Sequence, residues 1–356
     1  MRCFDLPQRY YIEKTINFRN SYIYQMNLLT GATGLVGAHA LAQLILNKEQ
    51  TRALFRTEAK RQQALAVILK YDISDEDLST YVDWFECDIL DLPKLDMAFK
   101  GITHVYHCAG FISNSPSDYK QMRKVNIEGT ANMVNLSIDF KIEKFCHVSS
   151  IAALGKPLVG EKVTEETPMG EDQKPSAYEI SKYGAEMEVW RASQEGLAVV
   201  ILNPGIILGD GFYDSGSGTL LKNLKKGLKV YPPKITGFVG VYDVSKLMLQ
   251  LMKSPVVNER FILVSENLSF KQVAARFASL YDKPGPNIEL KPWMLYVAWC
   301  FEVLRSFLTS YKRHLTLEVI PSLFEDSLYS SGKVKEALHF EFESLEEFSK
   351  RIYERS

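Results

Sequence analysis

The chain is poor in cysteine and has no cysteine pair. Cys3, Cys87, Cys108, Cys146 and Cys300 are scattered, with no CxxC spacing. An odd, dispersed set excludes a disulfide framework and reads as reduced thiols. The six histidines form no HExxH or HxH pattern, and His104, His107 and His147 fall in or beside strand-like runs, so no metal site is expected. Charge of one sign is lacking too. Forty-two Lys and Arg oppose 43 Asp and Glu, a net charge of -1, which provides no global field for nucleic acid or an anionic surface. No apolar run reaches the roughly 20 residues of a membrane span. The longest candidate, Trp293–Phe301, is interrupted by Glu302 and Arg305. Repeats and low-complexity tracts are absent. The expectation is a cytoplasmic protein with no nucleic-acid partner and no membrane span.

At 356 residues and 46% hydrophobic content, the chain can bury a sizeable core and, at roughly 150 residues per domain, suggests two units. Residues 1–25 carry Arg2, Arg9, Lys14 and Arg19 but no continuous apolar stretch or cleavage site. They read as an extension outside the fold, with Met26 as a candidate start. From Met26 onward, short apolar runs alternate with helical patterns. Met26–Thr30, Thr51–Arg56, Val82–Cys87, Thr103–Cys108, Lys144–Val148 and Ala198–Asn203 read as strands, with helices between them near Leu35–Asn47, Leu92–Phe99, Tyr119–Phe140 and Ala177–Gln194. That alternation predicts an α/β fold: a doubly wound parallel sheet, Rossmann-like, with ligands at the carboxyl ends of its strands.

After Pro204 the rhythm changes. Residues 26–204 are expected to form a dinucleotide-binding domain to which 238–264 returns. Residues 205–237 and 265–356 should form a smaller, discontinuous, mostly helical substrate-binding part. Gly205–Gly218 reads as a loop. Trp293–Phe307 is expected to pack as core or lid, the other reading being a membrane-surface helix.

The nucleotide signal is Thr30-Gly31-Ala32-Thr33-Gly34-Leu35-Val36-Gly37, placed between a strand and a helix. Gly31 permits the tight turn, Gly34 lets backbone approach a pyrophosphate, and Gly37 allows close packing of helix on strand. The helix start at Leu35 and Val36 offers free N–H groups and a positive dipole. The second strand ends Leu54-Phe55-Arg56 with no carboxylate before Glu58. An acid there would select NAD, whereas the fork of Arg56 suits the 2′-phosphate of NADP. A solvated arginine is the alternative, and NAD remains possible. Asp88 and Ile89, after the third strand, are placed beside the adenine. Asp88 either accepts from its amino group or caps the turn before Leu90.

Tyr178-Glu179-Ile180-Ser181-Lys182 puts a phenol and an ammonium four residues apart, on one helical face. A phenol titrates near about 10, so proton transfer near neutrality needs help from a positive charge. Ser149-Ser150 follow the fifth strand, where a hydroxyl would project above its carboxyl end.

Together these motifs resemble the extended short-chain dehydrogenase/reductases of the NAD-dependent epimerase/dehydratase family, most like the dihydroflavonol 4-reductase and 3β-hydroxysteroid dehydrogenase branch. The likeness runs from Met26 to the tail Gly332-Lys333-Val334-Lys335-Glu336-Ala337-Leu338-His339-Phe340. It implies that Ser150, Tyr178, Lys182 and Asn126 are catalytic, with Asn126 supporting the lysine, commonly through water. It implies that Cys108, Ala109 and Gly110 border the cofactor, and that Asn203, Pro204, Gly205 and Ile206 run along its nicotinamide. The expected activity is a carbonyl reductase or alcohol dehydrogenase acting on a small-molecule carbonyl or alcohol. An NDP-sugar epimerase or dehydratase and a non-catalytic dinucleotide-binding regulator are the alternatives. Homodimerisation is a further expectation of the resemblance.

Overall fold

The computed structural model describes residues 25–356 apart from 114, 159, 171–174, 215 and 310–318. The expected extension 1–25 thus lies, except for Gln25, outside the described residues. Seven parallel strands make the main sheet: β1 (Met26–Thr30), β2 (Gln50–Phe55), β3 (Val82–Glu86), β4 (His104–His107), β5 (Lys144–Val148), β6 (Val199–Pro204) and β10 (Glu259–Leu263). Their order is β10-β6-β5-β4-β1-β2-β3, with the switch point between β1 and β4. There a crevice opens at the carboxyl ends of the strands, where ligands of open α/β sheets bind. β1, β5 and β6 are buried almost throughout, which is why they read as apolar runs without alternation.

The helices α1 (Leu35–Leu46), α2 (Glu58–Ile68), α3 (Asp75–Tyr81), α4 (Leu92–Phe99), α5 (Tyr119–Met122), α6 (Gly129–Asp139), α7 (Ala177–Gln194) and α9 (Val241–Lys253) belong to the strand-to-strand crossovers. The predicted helix 119–140 is helical without a break through Asp139, but its winding changes part-way. Between α5 and α6 the chain winds into a π-helical turn, Arg123–Glu128, of the kind that often marks functional sites. A Cβ on Gly184 of α7 would lie 2.6 Å from Ile127 Cδ1, so this glycine permits α7 to pack closely against that turn.

A second sheet of β7 (Ile206–Leu208), β9 (Ile235–Gly240) and β11 (Glu266–Ser269) departs from expectation. Of the stretch 238–264, only Glu259–Leu263 pairs in the main sheet, while 238–240 pair with β7 and β11. The segment after Pro204 is therefore not all loop. The chain leaves β6 at Gly205, where a Cβ would lie 2.4 Å from the Gly237 carbonyl oxygen. Only glycine lets the two strands of the new sheet approach this closely at the crossing point. The remaining elements are α8 (Ser217–Lys225), β8 (Val230–Tyr231), α10 (Phe270–Leu280), β12 (Ile288–Glu289), α11 (Pro292–Leu308), α12 (Val319–Ser322), α13 (Gly332–Leu338) and α14 (Leu345–Glu354). β12 pairs with β8. α11 does not sit in the core: Leu295, Trp299 and Val303 are half-buried on one side, while Trp293, Tyr296, Val297 and Phe301 are exposed. Among the described residues no helix is long and apolar enough to cross a membrane.

Candidate active site

The glycine turn between β1 and α1 is held by backbone crowding. A Cβ on Gly37 would sit 2.1 Å from the Gly31 carbonyl oxygen, and one on Gly31 would meet Ala109 N at 2.6 Å. Gly31 also has a φ of 69°, a region open mainly to glycine. Gly34 begins α1 with no side-chain cap, and the first turn contains no acidic residue. The leading N–H groups thus remain available to an anion. Thr33, Leu35 and Val36 are half-buried around the turn.

Thr30 joins this turn to the next strand. Its Oγ1 lies 2.7 Å from His107 Nδ1 and accepts from Ala109 N at 3.2 Å. Cys108 and Ala109 are half-buried and Gly110 is exposed at the crevice. The uncapped N–H groups at the start of α1 suit a dinucleotide pyrophosphate.

Tyr178 sits in the first turn of α7, which starts where a capping box dictates. Ser176 Oγ accepts from Glu179 N at 3.3 Å, and Glu179 Oε2 accepts from Ser176 N at 2.6 Å. The Tyr178 hydroxyl meets that of Ser150. Burial pushes the phenol above its ordinary pKa, and the bond with Ser150 opposes that shift. Desolvation of the phenolate thus prevails over that bond and favours the protonated phenol. Ser150 Oγ also accepts from Ala152 N at 3.1 Å, fixing the hydroxyl at the end of β5.

One turn deeper, Lys182 Nζ donates to the Val148 carbonyl at 3.0 Å. Burial brings its pKa down to about 8, against an opposing pull from Glu186. Asn126, in the π-helical turn, donates Nδ2–H to Phe111 O at 3.0 Å and Ser181 Oγ at 2.9 Å, while its Oδ1 accepts from Phe111 N at 2.7 Å. Its direct partners are thus the strand-end loop and α7. A Cβ on Gly110 would lie 3.5 Å from Asn126 Oδ1 and 3.9 Å from Lys182 Nζ, so these three residues meet at one point.

Other predicted residues sit beneath or beside this point. Asn203 is fully buried. Its Nδ2 donates to Ser150 O at 2.9 Å and to Glu186 Oε1, so its amide supports Ser150 from below. Pro204 is buried, whereas Gly205 and Ile206 are half-buried at the start of the second sheet. Ile89 is buried under α6, its Cδ1 2.5 Å from where a Gly129 Cβ would stand. Asp88 Oδ1 accepts from Leu90 N at 3.0 Å. Its Oδ2 lies 3.8 Å from Arg56 Nη1, both side chains largely exposed. A cavity of about 150 Å³ opens here, lined by Arg56, Glu86, Cys87, Asp88, Asp91 and Lys94. A larger one of about 470 Å³, between α7 and residues Glu259 and Arg260, contains none of the predicted residues. In the loop after β7, Phe212 is buried. Among the described residues no cluster of His, Cys, Asp and Glu is placed to hold a metal ion.

The model of the NAD dependent epimerase/dehydratase family matches residues 27–262, spanning the glycine turn, Ser150, Tyr178 and Lys182. The chain belongs to this family. The enzyme is 27% identical to a putative dihydroflavonol 4-reductase of Synechocystis over 281 residues, 77% of this chain and 78% of that protein. It is 26% identical to a UDP-glucose 4-epimerase of Vibrio cholerae over 291 residues, 78% of this chain and 80% of the relative. In structure it is similar to UDP-glucose 4-epimerase from Thermotoga maritima, with a TM-score of 0.72 at 21% identity, covering 93% of this chain and 98% of the other. It is an NAD-dependent enzyme of the extended short-chain dehydrogenase/reductase type, in a family of reductases and epimerases.

Two groups in this enzyme escaped sequence reasoning. Glu186, one turn below Lys182, is fully buried, and its Oε2 accepts from Arg260 Nη1 at 3.4 Å. Tyr178, Lys182 and Glu186 keep a four-residue spacing, the one signal that could have found it. The other is Asp210, fully buried just after β7. Its Oδ1 accepts from Tyr242 OH at 2.7 Å and lies 3.7 Å from His39 Nε2. Its Oδ2 faces Lys70 Nζ at 3.6 Å and Arg355 Nε at 3.9 Å. Arg355 also stacks 4.0 Å over the Tyr71 ring, and its carbonyl accepts from Lys70. This network ties the segment crossing the start of α1 to residues far away in sequence.

Proposed function

We propose that the enzyme is an NADP-preferring carbonyl reductase or alcohol dehydrogenase. The observation that carries this reading is the meeting of the Tyr178 and Ser150 hydroxyls at the strand ends beside the glycine turn, with Lys182 anchored one turn below. The bound nicotinamide supplies hydride to a carbonyl carbon or accepts it back. Tyr178, held protonated by burial, donates its proton to the carbonyl oxygen. Ser150 gives that oxygen a second hydrogen bond, and the two donors stabilise the charge that develops there. Lys182 holds the ribose and places a positive charge behind the phenol. Asn126 and Asn203 keep the loop after β4 and the turn after β5 in position.

The sugar-nucleotide alternative needs cations for a substrate diphosphate. Ile235–Asp243 contains no Lys or Arg. Gly240 packs against Phe348, and Tyr242 is bonded to Asp210. Of the lysines on and after α8, Lys222 pairs with Asp214 at 2.9 Å and Lys225 lies 4.7 Å from the centre of the Tyr213 ring. These engagements favour the reductase. A screen of aldehydes, ketones and NDP-sugars read by nicotinamide absorbance tests it. A reductase shows net cofactor consumption with a carbonyl compound. Conversion of an NDP-sugar without net absorbance change would identify an epimerase instead. Homodimerisation, which the family likeness suggests through α5–α6 and α7, finds support in the exposed Tyr119, Ile180 and Met187.

Arg56 carries the NADP preference. Its contact with Asp88 is long and solvated, so a 2′-phosphate can displace it at little cost. Fluorescence titration should show NADPH binding about 10- to 100-fold more tightly than NADH, the range of a charge-assisted bond. Arg56→Ala should remove that difference while sparing NADH. Tighter binding of NADH by the parent would overturn the assignment.

The lowered pKa of Lys182 sets an alkaline limit. Below about 8 the amine is charged and above it the charge is lost, while Tyr178 keeps its proton across the same range. In the pH profile, kcat/KM should therefore fall above about 8. In Lys182→Arg, whose side chain does not titrate in this range, that limb should disappear even though the rate is lower. An unchanged limb would assign it to another group.

A further inference from the structure

Helix α7 puts Tyr178, Lys182 and Glu186 on successive turns of one face, about 6 Å apart along its axis. The first two take part in the proposed proton transfer. Glu186 lies too deep to touch a substrate, being fully buried. A carboxylate in such a place costs stability unless its charge and lone pairs are met. Both oxygens are met here. Oε1 accepts from Asn203 Nδ2, and Oε2 accepts from Arg260 Nη1 at 3.4 Å. The guanidinium is itself held from the far side. Its Nε donates to the Glu165 carbonyl at 2.8 Å, and its Nη2 donates to the same oxygen. Glu165 Oε1 in turn accepts from Ile262 N at 2.8 Å.

We propose that Glu186 is a positioning residue of this active site, a fixed buried anion that holds Ser150 through Asn203 and balances the charge of Lys182. This role rests on the proton-transfer assignment of Tyr178, Ser150 and Lys182. Asn203 Nδ2 is shared between Glu186 Oε1 and the Ser150 carbonyl, the latter at 2.9 Å. One amide thus ties α7 to the turn that bears the serine.

The charge of Lys182 has no other counterweight nearby. Its Nζ donates to the Val148 carbonyl at 3.0 Å, a neutral oxygen. His107 and Cys108 at the end of β4, and His147 on β5, face it uncharged. Burial pushes both imidazoles well below their ordinary value and the thiol up to about 12. Burial also lowers Lys182, and Glu186 is the carboxylate that opposes this. Glu186 is itself pushed up by burial, against which Asn203 and the Arg260 cation act.

The test pairs Glu186→Gln with Glu186→Asp in the full chain, with thermal melting and NADPH titration to confirm folding. Gln keeps the length and an acceptor for Asn203 but removes the charge. The alkaline limb of kcat/KM, expected near about 8 in the parent, should move down by on the order of one pH unit. Competitive acetylation of Lys182, read by mass spectrometry across the pH range, should show the same displacement without any substrate. Asp keeps the charge but loses the reach to Asn203. Its limb should stay at the parental pH while kcat falls by about 10- to 100-fold. An unmoved limb or an unmoved Lys182 titration in E186Q overturns the proposal, as does parental kcat in E186D. Where E186Q does not fold, E186D decides alone. The profile is read with whichever substrate class the screen finds. Net reduction with an unmoved limb removes only the role of Glu186, whereas epimerisation with a displaced limb removes only the reductase reading.

Discussion

Tyr178→Phe is expected to lower turnover by about 10²- to 10⁴-fold, the contribution of a positioned proton donor, with NADPH affinity almost unchanged. The phenylalanine keeps the ring and its packing but removes the one hydroxyl that meets Ser150. The substrate oxygen is then left with a single hydrogen bond and no proton to take. The lowered rate should not recover at any pH, because no other group at the site replaces the lost proton. Single-turnover kinetics with saturating NADPH isolates the chemical step from binding. A variant that reduces substrate at the parental rate would remove Tyr178 from the mechanism, and with it the reason for the buried lysine beneath.

Mild acid should destabilise the enzyme markedly. Burial lowers His39 to about 4 and His107 to about 3, and drives His147 well below its ordinary value. In the unfolded chain each titrates near about 6.5. As pH falls below that value the unfolded state gains protons that the folded state refuses, so stability decreases until the folded pKa values are reached. At pH 5 His39 and His107 each cost about 2 kcal/mol, and His147 adds a cost of the same sign. Asp243, raised to about 6 by burial, acts in the opposite sense and offsets roughly 1 kcal/mol. The remainder is a large part of a typical total of about 5–15 kcal/mol. The expected result is a Tm lower by on the order of 5–10 °C at pH 5 than at pH 7.5. His39→Gln should have a shallower dependence, since one of the three titrating groups is gone. A Tm that stays level or rises over this interval would show that the buried imidazoles are not the acid-sensitive element.

Much of this architecture is visible in the linear order of residues, and the reasons are local. The turn around Gly31, Gly34 and Gly37 and the pair Tyr178 and Lys182 depend on spacings within one element, which sequence records directly. The second sheet was hidden because it depends on Gly205 and Gly237 passing each other, a contact between residues distant in the chain. Asn203 reads as a residue facing the crevice, yet its partners Ser150 and Glu186 come from two other elements and turn it inward. Glu186 looked like one more helix carboxylate until α7 was set against the strand bearing Arg260. The sense of the Tyr178 shift was hidden for the same reason, since it depends on how deeply α7 is buried. Helix α11 shows a different limit. A segment apolar on nearly all faces looks the same whether it is covered or bare, and the pattern of residues cannot report which neighbours arrive.

Asp210 also bears on how the polypeptide is made. Its counter-charges come from Lys70, translated long before it, and from Arg355, translated long after. During synthesis the segment that crosses the phosphate-binding turn therefore emerges with half of its neutralising partners still unmade. An uncompensated carboxylate does not enter a protein interior readily, so the burial of Asp210 draws on charges supplied from both ends of the described chain. The strands around the glycine turn pair without Arg355, whereas the full set of charges around Asp210 requires it.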